Sequence, residues 1–387
     1  MILAVKSYNH LYEKFLSEEN YYEALKNATR HKNGKKRKHR LARYYKTHAE
    51  ELKDQIMAYA ADFKSEQHRP ILIYDGIHRK QRKIIVPTMK EQIVHHMVIN
   101  VLKGIFMKGM YEHSYGSIPG RGVHLGKKQI QKWIRNNPKD IRYCLKMDIR
   151  KYYDSIPRKI LKDKFAKLIH DERFLKVLYA TIDVDDEERG IPIGFYTSQW
   201  FANWYLTELD RYIKDELHAK FYARYVDDMV IFGSNKRKLH LMRMDIENYL
   251  ETWLGLELKS NWQVFRFEYT DREGRQRGRC LDFMGYQFYR NRTILRRSIY
   301  IKMCRKARRI SKKEKTTIHD CRQMLSYLGY IKDSDTYNAY KRHIKPFVCF
   351  QYLKRRMSAH QLKINKKEEL HHVVPCMQRG QQQTDCT

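Results

Sequence analysis

The sequence FYARYVDDMVIFG, residues 221–233, places two adjacent aspartates between two short apolar runs. Both runs are rich in β-branched and aromatic residues and are too short for helices, so they predict the two strands of a β-hairpin. We expect Asp227 and Asp228 to form the two-residue turn at its tip. Because adjacent carboxylates repel each other, such a pair is usually separated by solvent or held by a cation such as Mg²⁺. A plain acidic turn is the alternative.

The charge of the chain limits the class of its partner. Its 387 residues include 78 Lys and Arg against 44 Asp and Glu, which gives a formal charge of +34. Nucleic acid is the usual polyanion that neutralises such a charge, and an anionic membrane surface is the rival. There is no apolar run of about 18 residues and no signal-peptide pattern, so we expect a cytoplasmic protein with no membrane partner.

The cysteines and histidines do not form a convincing metal motif. The seven cysteines are scattered without a CxxC pair, which is typical of reduced intracellular thiols. A zinc site formed by His371, His372 and Cys376 is an alternative, but the spacing of these residues is poor for zinc ligands.

The first third of the chain predicts helices followed by a hairpin. Apolar residues recur at helical spacing over 8–64, interrupted by GKKRKHR at 34–40, which is either a solvated turn or a phosphate-contacting loop. The runs ILIYDG and IHRKQRKIIVP, over 71–87, predict two strands that turn at Asp75-Gly76. The second strand carries Arg79, Lys80, Arg82 and Lys83, where Arg could bind a phosphate bidentately and a solvated face is the alternative. A helix should follow at 89–108.

A glycine-rich segment, HSYGSIPGRGVHLG, occupies residues 113–126. Four glycines and a proline exclude a regular element, and glycines allow a backbone to approach a phosphate closely. The segment lacks the GK[ST] of a Walker motif. A helix should begin at about Lys127.

A third carboxylate is needed if the two aspartates belong to a two-metal site. The segment LKMDIRKYYDSI, residues 145–156, supplies Asp148 at the end of an apolar strand. Ile149 then offers a backbone carbonyl, which Mg²⁺ also accepts. Tyr153 follows five positions after Asp148, and a core position is the alternative for this tyrosine.

The remaining segments complete the prediction. Residues 190–210, GIPIGFYTSQWFANWYLTELD, predict a loop and then a helix, in which Gly194 permits close contact with template or nucleotide and Thr197 or Ser198 could be the cap. An amphipathic helix is expected over 236–254 and a strand with Lys259 over 255–267. Residues 281–289 predict a hairpin, 295–358 are basic and helical, and the C-terminal stretch is typical of disorder.

Together these motifs resemble a bacterial reverse transcriptase over roughly residues 8–350, with LKMDIxxxY and YVDD in the family's order. The resemblance implies an α+β fold of the right-hand polymerase type, with fingers, a palm on an antiparallel sheet and a helical thumb. The boundaries implied are 1–140 for N-terminal helices and fingers, 141–290 for the palm (with 157–190 partly in the fingers), 291–360 for the thumb and 361–387 for a disordered tail.

The resemblance also implies the site residues of an RNA-directed DNA polymerase. Two Mg²⁺ ions, for which Mn²⁺ could substitute, would be held by Asp148, Asp227, Asp228 and the carbonyl of Ile149. Lys259 would protonate the departing pyrophosphate, and the Tyr153 ring would exclude a 2′-hydroxyl. The expected nucleotide-binding residues are Arg82, Lys83, Tyr153, Ile193, Gly194 and Gln199. The expected template and primer contacts are Ser114, Gly116, Gly120, Arg121, Gly122, Met284 and Gly285.

One motif resembles a particular branch of the family. Residues 193–199, IGFYTSQ, match the aliphatic-Gly-x-x-x-Ser-Gln pattern of diversity-generating retroelement reverse transcriptases, although Phe195 and Tyr196 replace the frequent Asn and Leu. This likeness implies a bacterial or phage enzyme that copies a template RNA into cDNA from dNTPs, with errors at adenines, alongside a small basic accessory protein. An antiphage-defence or retron-type reverse transcriptase is the alternative. A non-catalytic RNA-binding scaffold is a remote one, against which the three aspartates argue.

Overall fold

Helices form the beginning of the chain in the computed structural model, which describes residues 7–30, 32, 37–75 and 80–362. They are α1 (Leu11–Phe15), α2 (Glu18–Thr29), α3 (Arg37–Thr47) and α4 (Ala49–Ala61). The Ser17 side chain caps α2 by accepting a hydrogen bond from the Asn20 backbone N–H. The helical prediction for this part of the chain is therefore confirmed. Residues 34–36 of the basic segment lie outside the described residues.

The predicted finger hairpin is present as β1 (Ile71–Asp75) and β2 (Lys80–Ile84), paired antiparallel with Ile73 opposite Arg82. Gly76 and Arg79 lie outside the described residues. A capping box formed by Thr88 and Glu91 then begins α5 (Met89–Gly109). Helix α5 is the centre of the core, because α2 packs against it and its residues from Ile93 to Phe106 include many that are fully buried.

Four antiparallel strands form the main sheet, in the order β4-β5-β3-β6. They are β3 (Tyr143–Asp148), β4 (Phe221–Tyr225), β5 (Asp228–Gly233) and β6 (Gln263–Arg266). The inner four residues of β5 are buried, as expected of a strand covered on both faces. The sheet is the antiparallel palm that the sequence predicted.

Further helices surround this sheet. They are α6 (Val123–Asn136), α7 (Tyr152–Ser155), α8 (Arg158–Leu168), α9 (Glu172–Ala180), α10 (Tyr196–Tyr205), α11 (Thr207–Arg211) and α12 (Lys236–Leu254), with a π-helical turn at Tyr212–Glu216. Helix α12 has the predicted limits and packs against β3, β5 and β6. Helix α10 packs against α5, and its Trp204 ring stacks on Phe106 and Phe165.

Three local predictions were wrong in detail. Helix α6 begins at Val123 and not at Lys127. Helix α10 begins at Tyr196, so Thr197 and Ser198 are buried inside it and cannot cap it. The strand expected over 255–267 is only Gln263–Arg266, because Gly255 adopts a left-handed conformation and the chain reaches the sheet edge only later. In each case long-range packing, which a local pattern does not encode, sets the boundary.

The chain divides into two compact units between Arg279 and Cys280. The first also contains the short strands β7 (Tyr269–Thr270) and β8 (Gln276–Arg277). The second contains β9 (Leu281–Phe283), β10 (Tyr286–Phe288), β11 (Thr293–Leu295), α13 (Arg297–Ser311), α14 (Ile318–Lys332) and α15 (Tyr337–His343), and residues 350–362 are helical. The hairpin at 281–289, which the sequence assigned to the palm, thus belongs to the second unit.

Within the described ranges, no helix has both the length and the apolar content needed to cross a membrane. The tail predicted to be disordered, with His371, His372 and Cys376, lies outside those ranges from residue 363 onward.

Candidate active site

The register of the sheet brings the three predicted carboxylates together. Asp148, the last residue of β3, lies directly opposite Asp228, the first residue of β5. Asp228 also pairs with Tyr225 on β4, so the two-residue turn consists of Val226 and Asp227. The prediction that both aspartates form the turn was wrong by one residue. The ladder fixes the backbone of Asp228, whereas Asp227 shares the turn with Val226.

The pKa of Asp227 is raised to about 7 at this site. Burial is the largest cause, followed by the charge of Asp148 and a side-chain hydrogen bond with it. Two lysines partly neutralise the cluster: the Nζ of Lys259 lies 2.9 Å from Asp148 Oδ2, and the Nζ of Lys146 lies 3.7 Å from Asp228 Oδ2. The site therefore holds more negative charge than its burial favours.

The donor set suits a hard divalent cation. In the described part of the chain, no three Asp, Glu, His or Cys side chains already surround a common point as a complete metal site would. The three carboxylates are nevertheless oxygen donors of the kind that Mg²⁺ prefers, and a bound cation would offset both the burial of the Asp227 carboxylate and its repulsion by Asp148, which together raise its pKa. The side chain of Ile149 is buried, which leaves its backbone carbonyl as the donor it could offer.

Lys259 precedes strand β6 and does not lie within a strand, contrary to the prediction. It is held against Asp148 twice, because its backbone N–H donates to the Asp148 carbonyl at 2.8 Å and its Nζ reaches the carboxylate. The lysine that the sequence singled out is thus at the site, paired with a predicted metal ligand.

The tyrosine pair on α7 divides into one core residue and one site residue. The Tyr152 ring is buried, and its hydroxyl donates to the Ala202 carbonyl. Tyr153 is half-buried, and burial together with the nearby charge of Asp227 raises its pKa to about 12, while Arg82 acts in the opposite direction. Tyr153 therefore lies within electrostatic reach of both β2 and the turn formed by Val226 and Asp227, which we name the catalytic turn for the role proposed below.

Gly194 is required by a contact between protein segments. Its φ is +119°, and a Cβ there would lie 2.1 Å from the Ile85 carbonyl oxygen. The Ile85 backbone N–H also donates to the Ile193 carbonyl at 2.8 Å. The close approach that the sequence assigned to template or nucleotide is thus made to the end of the finger hairpin. Gln199 is exposed on α10, and Lys83 lies on β2.

The residues of the glycine-rich segment, 113–126, fall into two groups: some pack against protein and others face open space. A Cβ on Gly116 would lie 2.3 Å from Val226 Cγ2, and Ser114 is fully buried beside Arg224, so both residues support the catalytic turn and cannot touch a template as predicted. By contrast, a Cβ on Gly120 or Gly122 would meet no described atom within 4 Å. The Arg121 guanidinium donates to the Tyr111 carbonyl at 2.6 Å.

The second unit carries the predicted tip residues Met284 and Gly285 at the turn between β9 and β10. Both have positive φ, 50° and 84°, as the tight turn of a two-residue hairpin requires. The Gly285 carbonyl accepts a hydrogen bond from the Arg296 backbone N–H at 2.9 Å. Within the second unit, Met284 and Gly285 therefore serve as the turn residues of this hairpin.

The family follows from comparison with known proteins. Residues 74–288, more than half of the chain, match the family described as Reverse transcriptase (RNA-dependent DNA polymerase). The chain belongs to this family. The matched region includes the end of β1, all of β2, the three carboxylates and the hairpin of the second unit, so the family accounts for most of the motifs that the sequence presented.

Individual relatives of this reverse transcriptase are distant. Protein YkfC from Escherichia coli (strain K12) is 23% identical over 220 residues, which covers 46% of this chain and 58% of that protein. The Retron Ec73 reverse transcriptase from Escherichia coli is 22% identical, over 48% of this chain and 59% of that protein. A telomerase structure from Candida albicans aligns over 77% of this chain and 58% of that chain, with 13% identity and a TM-score of 0.46.

Sequence reasoning missed the residues beneath the catalytic turn of this reverse transcriptase. Arg224, Asp210 and Asn203 form a buried polar network against it. The available signal was an arginine inside the otherwise apolar strand FYARY, since a charged residue is almost never fully buried unless it is paired.

Proposed function

We propose that this chain is an RNA-directed DNA polymerase that extends a DNA primer on an RNA template with dNTPs and releases pyrophosphate. The observation that carries the proposal is the convergence of Asp148, Asp227 and Asp228 at one end of the palm sheet. The formal charge of +34 supports a nucleic-acid substrate.

Each residue of the site has a role in this proposal. Asp148, Asp227, Asp228 and the Ile149 carbonyl would hold two Mg²⁺ ions, which when bound activate the primer 3′-hydroxyl and neutralise the triphosphate. Lys259 would leave Asp148 and donate a proton to the departing pyrophosphate.

The residues proposed to bind the incoming nucleotide lie on α7 and β2. The Tyr153 ring would fill the space that a 2′-hydroxyl needs, and Arg82 and Lys83 on β2 would bind the triphosphate. Gly120, Arg121 and Gly122 are the members of the glycine-rich segment left to contact the template.

The test is primer extension on a defined RNA template with dNTPs and Mg²⁺, comparing the wild type with Asp148→Asn. We expect the variant to lose extension while its affinity for the RNA–DNA duplex, measured by fluorescence anisotropy, stays within about twofold, because it alters the metal ligand and not the basic surface. Equal extension by both proteins would contradict the assignment, and so would a wild type that binds the duplex but adds no nucleotide.

We further propose that the cDNA is error-prone at template adenines and serves a diversity-generating retroelement, with a small basic accessory protein as partner. The IGFYTSQ motif at 193–199 supports this role. The Retron Ec73 relative supports the retron-type or antiphage-defence alternative. The DNA flanking the gene discriminates between them, because a template repeat beside a variable gene fits the first role and a retron-type noncoding RNA fits the second.

A further inference from the structure

Arg224 is a buried charge directly behind the catalytic turn. It lies on β4, two residues before Val226, and its side chain is 0% exposed, as Asp210 on α11 is 1% exposed. Removing two charges from water is costly unless their pairing is nearly complete, and apolar residues of similar size are often as stable. Burial of this pair therefore suggests a task besides stability.

The guanidinium of Arg224 binds its counter-ion and the turn, with longer hydrogen bonds to Asn203 at 3.3 and 3.4 Å. Its Nε donates to Asp210 Oδ1 at 2.8 Å and its Nη2 to Asp210 Oδ2 at 2.5 Å. The remaining nitrogen, Nη1, donates to the Val226 carbonyl at 2.9 Å. The Tyr222 hydroxyl also donates to Asp210 Oδ1, at 2.7 Å, which fixes the carboxylate. One planar fork thus ties the turn to a helix.

Val226, the residue that Arg224 holds, is in a strained conformation. Its φ is +59°, which is rare for a β-branched side chain. Such residues keep this conformation only where their surroundings impose it, and they concentrate at functional sites. The side chain of Val226 packs against Gly116, whose carbonyl accepts from Asn203 Nδ2 at 2.8 Å. The turn is therefore constrained through both its carbonyl and its side chain.

The strain in Val226 sets the direction of the next residue, Asp227. If Val226 relaxed to a negative φ, the peptide that follows would rotate and carry the Asp227 carboxylate away from Asp148. We infer that Arg224 is a positioning residue that holds Val226 in its left-handed conformation and so keeps the Asp227 carboxylate beside Asp148. This inference rests on the proposed function, in which these carboxylates bind the catalytic metal ions.

A lysine could not replace Arg224 in this role. Its single nitrogen cannot bind both Asp210 oxygens and still reach the Val226 carbonyl, whereas the planar fork of arginine does all three. We therefore expect Arg224→Lys to bind Mn²⁺, used as the metal alone, about 10–100-fold more weakly and to need correspondingly more metal for extension, as for other residues that orient metal ligands.

The experiment compares three variants. Arg224→Lys removes the fork, and the double variant Arg224→Met with Asp210→Leu replaces the ion pair by apolar residues, which usually preserves folding. Arg158→Lys is the matched control, because Arg158 is also buried and its guanidinium also binds a carboxylate and backbone carbonyls, but these belong to Asp185 and Gly190. Mn²⁺ affinity is measured by calorimetry per folded molecule, with folding checked by circular dichroism.

The inference is supported if both Arg224 variants bind Mn²⁺ more weakly, require more metal for half-maximal extension and keep their RNA affinity, while Arg158→Lys binds Mn²⁺ like the wild type. It is overturned if the folded double variant binds Mn²⁺ normally, since the ion pair would then be structural only. An equal loss in Arg158→Lys would overturn it too. A wild type that binds Mn²⁺ but extends no primer would refute the proposed function alone, because the titration needs no catalysis.

Discussion

Two hairpins of this reverse transcriptase share a local pattern but are held in very different ways. The catalytic hairpin, β4 and β5, occupies one side of a four-stranded sheet, and most of its side chains are fully buried. Among the described strands, β1 and β2 of the finger hairpin pair with each other and with no third strand, and Ile71, Leu72, Ile73 and Tyr74 are 39–67% exposed. An isolated two-stranded hairpin is marginally stable in water. The finger hairpin therefore depends on the contacts at its C-terminal end, where Ile85 meets Ile193 and Gly194.

The difference matches the two proposed roles. The catalytic turn is fixed by Arg224 and Gly116, which suits metal ligands that must keep one geometry. The finger hairpin is joined to the palm side through the Ile85–Ile193 hydrogen bond and the contact with Gly194. We expect changes at the catalytic turn to affect the chemical step, and changes at the finger base to affect nucleotide binding.

The largest expected effect comes from Asp227→Asn at the rigid turn. Loss of this ligand should reduce extension by about 10³-fold or more, as is usual when a catalytic group is removed. RNA affinity should persist, because the basic surface is unchanged. Fluorescence anisotropy with the same RNA–DNA duplex measures that affinity. If Asp227→Asn extended the primer as well as the wild type, Asp227 would not be a catalytic residue.

The same variant should alter how stability depends on pH. The pKa of Asp227 is about 7 in the fold, above its value of about 4 in an unfolded chain, so the native state binds more protons between these limits. The free energy of unfolding of the metal-free wild type should therefore fall as pH rises through this window. Urea denaturation at several pH values should show a smaller fall for Asp227→Asn, and parallel curves would mean that the pKa of Asp227 is not raised in the fold.

Breaking the anchor of the finger hairpin should have the next largest effect. In Gly194→Ala the new Cβ meets the Ile85 carbonyl oxygen, and the residue must also hold a positive φ. We expect KM for dNTPs to rise about 10–100-fold with a smaller change in kcat, because a misplaced positioning segment costs binding. Gly104→Ala on the exposed side of α5 is the control, since its Cβ would also meet no described atom within 4 Å and Gly104 has no proposed role in the site. Steady-state extension kinetics measure KM for both variants. A KM for dNTPs in Gly194→Ala equal to that of the control would mean that the contact of Gly194 with Ile85 does not affect nucleotide binding.

A smaller effect is expected at Tyr153, between the two hairpins. Tyr153→Ala opens space where the ring would oppose a 2′-hydroxyl, and relief of such overpacking is worth roughly 1–3 kcal/mol. The preference for dNTPs over rNTPs should therefore fall about ten- to a hundredfold, at about 1.4 kcal/mol per decade. Competing dCTP and rCTP in single-nucleotide extension measures it, and unchanged selectivity would leave Tyr153 as a packing residue.

The smallest effect is expected at Ile193, whose carbonyl accepts the hydrogen bond from Ile85 at the end of the finger hairpin. A glutamine at this position could form a hydrogen bond near the incoming nucleotide, worth about 0.5–1.5 kcal/mol, whereas the isoleucine side chain has no donor or acceptor. Ile193→Gln should lower errors opposite template adenines about two- to tenfold, and errors opposite other bases less. Sequencing the cDNA made by both proteins tests this, and equal adenine error rates would weaken the diversity-generating proposal.

The sequence by itself determined the elements and the identity of the carboxylates. Alternating and helical apolar patterns predicted both hairpins and the limits of α12, because the periods of strand and helix are local properties. The motifs LKMDIxxxY and YVDD, through their resemblance to the reverse transcriptase family, predicted that Asp148, Asp227 and Asp228 meet on neighbouring strands. Charge composition, which needs no coordinates, indicated the nucleic-acid partner.

Only the tertiary structure decided which groups the aspartates, the glycines and the buried arginine contact. The register placed Asp228 in the ladder and made Val226 and Asp227 the turn. Packing assigned Gly116 and Gly194 to protein contacts and brought Arg224 to the Val226 carbonyl. The physical reason is that a glycine or a buried charge reports a requirement for space or for a counter-ion, whereas the group that meets this requirement lies far away in the sequence.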